Sequence, residues 1–98
     1  MSTEYQALRT PPAALERGGV EVLRCGIIDG ELHVTLRPAF DDPRGWGRLF
    51  AEVARQVAGA YAQAHGFAQQ ETLARIASAF AQEMQAPPDT QSSIAPLG

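Results

Sequence analysis

Asp29-Gly30, set between two β-patterned runs, constrains this chain more than any other feature. A two-residue type I′ turn needs positive φ at both central positions, and Asp-Gly supplies it at little cost. With that turn, Ile28 faces Glu31, Ile27 faces Leu32, Cys25 faces Val34 and Leu23 faces Leu36. Leu23, Cys25, Ile27, Leu32, Val34 and Leu36 then share one apolar face. Arg24, Gly26, His33, Thr35 and Arg37 share the other, with Ile28 and Glu31 beside the turn. A slip of one residue would mix the two sets, so the pattern fixes the register. The reading is an antiparallel hairpin with one face for a core, and therefore an α+β domain.

The rest of the chain reads as helix. Asp41-Asp42-Pro43 opens the first long one, with Asp42 as N-cap and Pro43 at the first helical position. Trp46, Leu49, Phe50, Val53, Val57, Tyr61 and Ala64 follow at three- and four-residue spacing. Arg48, Glu52, Arg55, Gln56 and Gln63 fall mostly on the opposite side, with Arg48 and Glu52 placed for an i,i+4 ion pair. Gly66, after His65, is the stop. A second helix over about 69–85 carries Leu73, Ile76, Ala77, Phe80 and Met84, and Pro87-Pro88 ends it. Strands are expected over about 20–28 and 31–37. Residues 1–19 form an N-terminal arm in which Thr10 or Pro12 opens a short turn through Arg17, closed by Gly18-Gly19; disorder is the alternative. Residues 20–86 make the domain, and the polar tail 87–98 reads as disordered.

A chain of 98 residues builds only a small core, and Cys25, the sole cysteine, offers no disulfide. Its place on the apolar face predicts a buried, inert thiol. A two-stranded ribbon is about 10 Å wide, and two helices of about 10 Å each cannot both be covered by it. The expected solutions are a third strand from Glu4–Thr10, or a symmetric partner that completes the sheet, with the hairpin packed on the two helices. Self-association is the preferred one.

Ile28-Asp29-Gly30-Glu31-Leu32-His33-Val34-Thr35-Leu36-Arg37, with Ala39-Phe40-Asp41-Asp42-Pro43 and Trp46-Gly47, resembles a family of small bacterial proteins described as a domain of unknown function. The likeness runs from about Leu8 to Tyr61 and fades in the second helix. It implies a small bacterial cytoplasmic domain and assigns no activity, ligand or catalytic residue.

Chemistry-bearing groups are sparse. His33 and Cys25 lie on opposite hairpin faces and cannot share a metal, and His65 reads as a favourable charge at a helix C-terminus. Ser78 lies mid-helix without a base. Asp41 and Asp42 read as capping residues rather than an acid/base pair, and Gly45-Trp46-Gly47 lacks the spacing of a phosphate loop. Trp46 reads as a core or interface anchor. No cofactor and no metal site is expected. The surface set with most character is Arg24, His33, Thr35 and Arg37, read as a solvated sheet face or as a patch for an anion or a protein. A ribbon-type DNA-binding protein is a less favoured alternative, because a net charge of −3 argues against nucleic acid, as do the closed hairpin and long helices. All eight basic residues are arginine, which reads as genomic base composition. Met1 to Gln6 show no basic region ahead of an apolar core, and no apolar run approaches the ~20 residues a bilayer requires, which predicts a cytoplasmic chain. The expected function is a non-enzymatic interaction or accessory module, homodimeric, with an unidentified protein as a further partner. A small-ligand binder with a pocket between hairpin and helices is the runner-up, and an enzyme comes third.

Overall fold

The computed structural model describes residues 4–86. In chain order it contains α1 (Pro12–Arg17), β1 (Leu23–Ile28), β2 (Glu31–Leu36), α2 (Arg44–His65) and α3 (Gln69–Gln85). The α+β class expected from the sequence is the observed one.

Strands β1 and β2 pair antiparallel in the expected register, from Leu23 opposite Leu36 to Ile28 opposite Glu31. The turn explains why: Asp29 has φ 53° and Gly30 φ 77°, the two positive values a type I′ turn requires. β1 starts at Leu23 rather than near residue 20, although Arg37 N–H still donates to the Val22 carbonyl at 3.1 Å. The short α1 has Pro12 at its first position and ends at Gly18 with φ 71°.

Among the described residues the sheet has two strands, and Glu4–Thr10 does not add a third. Tyr5 instead lies across the hairpin at Gly26. A Cβ on Gly26 would sit 2.7 Å from the tyrosine hydroxyl and 2.8 Å from the ring, so only glycine admits this approach.

Helix α2 begins at Arg44, one residue later than the capping motif suggests. Asp42 still meets an orphan donor, because its carboxylate accepts the Arg44 backbone N–H at 3.0 Å. Pro43 precedes the helix already in helical geometry. Glu52 accepts from Arg55 and Gln56, not from Arg48 as the i,i+4 spacing suggested. Gly66 adopts the left-handed conformation (φ 70°) and donates to the Ala62 carbonyl, ending α2 as expected. The chain then turns into α3, which packs back on α2.

Ala58, at 0% exposure, is the only fully buried residue among those described. The tertiary contacts between elements form two separate sets, strand with strand and α2 with α3. No strand residue comes within 8 Å, Cα to Cα, of a helical one. The hairpin's apolar face, expected to pack on the helices, is therefore met by none of the described helices. Cys25 is exposed rather than buried for the same reason. The connector 37–43 is held at both ends: Arg37 Nε donates to the Glu21 carbonyl at 2.9 Å, and Phe40 lies on Gly45 beside Trp46. Pro38 and Pro43 restrict what lies between. The segment 87–98, expected to be disordered, lies outside the described residues.

Candidate functional site

The register places Arg24, His33, Thr35 and Arg37 together on the polar face of the hairpin, with Arg24 opposite Thr35. The two arginines are already engaged. The Arg24 guanidinium donates to the Glu21 carboxylate through Nε (3.2 Å) and Nη2 (3.1 Å), and this hydrogen bond raises its already high pKa. Arg37 is tied to the Glu21 main chain by the bond already described. His33 Nε2 stands 3.9 Å from the Glu31 carboxylate, beyond hydrogen-bonding reach. Thr35 is exposed between them. The four expected residues thus do share a surface, but Glu21 occupies both guanidinium groups.

Two contributors to this face, Glu21 and Tyr5, were not apparent from the sequence. A signal for Tyr5 existed in Gly26, because glycine inside a strand often marks a close approach. Nothing comparable pointed to Glu21.

The opposite face carries Leu23, Cys25, Ile27, Leu32, Val34 and Leu36. Exposure there reaches 46% at Val34 and 57% at Leu36. The helices also leave apolar side chains uncovered, among them Phe50, Val53, Val57, Phe80 and Met84. Trp46, half-buried, meets Phe40 edge-on at 5.4 Å between ring centroids and Phe50 at 5.8 Å. At the other end of α2, His65 sits with Tyr61 and Phe67, each ring 5.5 Å from its own. His65 is thus part of an aromatic cluster as well as a last-turn basic group.

Cys25, His33 and His65 are not brought together, and among the described residues no three of His, Cys, Asp and Glu gather where a metal could bind. A broad open concavity is lined by the N-terminal segment, α1 and β1, with Tyr5, Leu8, Ala14 and Leu23 in its walls and no residue from α2 or α3. No helix among the described residues is long and apolar enough to cross a membrane.

The hairpin, its Asp-Gly turn and the two following helices coincide with a family model, the domain of unknown function DUF5076, which matches residues 7–88. The chain belongs to the DUF5076 family. The match extends past the Leu8–Tyr61 stretch that carried the resemblance and takes in the whole of α3. A solved structure from the photosynthetic bacterium Rhodopseudomonas palustrus CGA009, provisionally named a pyruvate dehydrogenase, is 33% identical with a TM-score of 0.73. The match covers 97% of this chain and 98% of that one. No curated protein matches the sequence.

Proposed function

We propose that this DUF5076 chain is a bacterial, cytoplasmic protein-interaction module without enzymatic activity, and that it works as a homodimer. The observation that carries the reading is the apolar face of the hairpin, on which none of the described helices packs.

The surface area supports it. The chain exposes 8887 Å², whereas a compact monomer of 10.5 kDa exposes about 5,400 Å². Crediting every residue outside 4–86 with the surface of an unfolded chain removes about 2,200 Å² more. More than about 1,000 Å² remains, and a specific dimer buries about 800 Å² per partner. The uncovered area is therefore of the size an interface needs.

The non-enzymatic part draws support from the scattered placement of Cys25, His33 and His65, and from the engagement of Arg24 and Arg37 by Glu21. The name given to the Rhodopseudomonas structure points elsewhere, to chemistry on pyruvate. Turnover of pyruvate by the purified protein would overturn this part of the reading. Sedimentation equilibrium over a hundredfold concentration range tests the other part. A dimeric mass that dissociates only on dilution is expected, and a monomeric mass up to high micromolar concentration defeats it.

A further inference from the structure

The backbone of the hairpin decides where a second copy can attach, given the self-association proposed above. Arg37 N–H donates to the Val22 carbonyl, which makes 22–37 a hydrogen-bonded pair. Antiparallel ladders alternate between bonded and non-bonded pairs, so 24–35, 26–33 and 28–31 are bonded as well. Leu23, Cys25 and Ile27 on β1, and Leu32, Val34 and Leu36 on β2, therefore turn their N–H and C=O groups outward. The two edges of the ribbon consist of these groups. They belong to the same six residues whose side chains form the apolar face.

The two edges differ in what lies beside them. Along β1, the Tyr5 hydroxyl donates to the outward Cys25 carbonyl at 3.5 Å, and the tyrosine ring occupies the space over Gly26. The N-terminal segment and α1 face β1 across the open concavity described above. Leu23 and Gly26 are half-covered in consequence. Along β2 all six residues are exposed, and no described strand other than β1 pairs with it.

We propose that the second copy joins through the β2 edge, strand against strand and antiparallel, to give a four-stranded sheet in the order β1-β2-β2-β1. A twofold axis normal to the sheet keeps Leu32, Val34 and Leu36 of both copies on one side. The six apolar side chains of each hairpin then form a continuous surface. Four strands span about 19 Å. Pairing also removes an open edge that would otherwise template aggregation.

Amide hydrogen exchange by NMR on the full wild-type chain, run beside sedimentation equilibrium, tests the assignment without any substitution. The amides of Leu32, Val34 and Leu36 point away from β1 and gain protection only from a partner strand. Their exchange is expected to be at least about a hundredfold slower than that of Leu23 and Ile27, which face the other edge. A dimeric mass with fast exchange at all three β2 positions, or with protection at Leu23 and Ile27 instead, overturns the β2 edge and leaves self-association standing. A monomeric mass overturns both.

Discussion

The hairpin and the helical pair are equally regular in their backbones and differ in what holds them. In the helical pair, Gly66 ends α2, α3 packs back on it, and Ala58 of α2 has no exposed surface. The hairpin has a turn and a register of matching quality, yet none of its residues is buried. An isolated two-stranded hairpin is marginal in water, because its ladder alone does not offset the ordering of its residues. Local codes thus specify both units, and among the described residues only the helical one finds its packing partner. The hairpin should be the part of the molecule whose stability depends on protein concentration.

The largest expected effect contrasts two neighbouring residues of β2. Val34→Asp places a carboxylate on the apolar face, beside the second copy's β2 in the proposed pairing, and should weaken or abolish the dimer. Thr35→Asp, on the polar face, should change stability by less than about 1 kcal/mol. Urea denaturation of both variants at matched concentration is the measurement. Equal losses would mean that the two faces of the hairpin are not distinguished as described.

Ala58→Leu makes the corresponding test on the other unit. Three added carbons have no room at this fully buried position, and overpacking of this kind costs about 1–3 kcal/mol. The loss should appear in thermal melts while the sedimentation mass stays dimeric, since Ala58 is already fully buried within one chain. Dissociation to monomer at unchanged concentration would place the interface on the helical pair instead.

A finer probe is the contact of Tyr5 with Gly26, where the hairpin does receive some cover from its own chain. Gly26→Ala alone should have little net effect, because the gain of about 0.5–1 kcal/mol from replacing strand glycine is offset by displacement of the tyrosine. In a Tyr5→Ala background the same substitution should stabilise by that full amount. A coupling of about 0.5–1 kcal/mol in the double-mutant cycle is the expected outcome. Strict additivity would show that the tyrosine does not rest on the strand in solution.

These contrasts follow the line between what was legible in the sequence and what was not. The cross-strand register, the left-handed Gly66 and the span of α3 were legible because each depends on residues close along the chain. The gathering of Arg24, His33, Thr35 and Arg37 on one face was legible for the same reason, since period-two alternation sorts a strand without reference to anything distant. The capture of both arginines by Glu21, the seat of Tyr5 on Gly26 and the seat of Phe40 on Gly45 were not read. They depend on how loops return to the elements, which no periodicity encodes. The exposure of Cys25 is the most instructive case. Apolar patterning shows which face is to be covered, and it carries no information on whether the cover comes from the same chain.

The smallest expected effect concerns the start of α2, where local charge does what packing does elsewhere. Hydrogen bonds from the Arg44 side chain and then its backbone N–H hold the Asp42 carboxyl below its ordinary 3.8. A carboxyl whose pKa is lower in the folded state binds its proton more tightly in the unfolded chain. Its contribution to stability is therefore complete above the ordinary value and is lost as pH falls through the folded one. Asp42→Asn keeps an acceptor for the Arg44 N–H but cannot ionise. The stability difference between wild type and Asp42→Asn should be constant from about pH 6 down to about pH 5 and should shrink below about pH 4. Taking the difference cancels the other carboxylates, which titrate alike in both proteins. A difference that stays level to about pH 2.5 would show that the Asp42 charge contributes nothing to the start of the helix, leaving Pro43 and the turn geometry to set it.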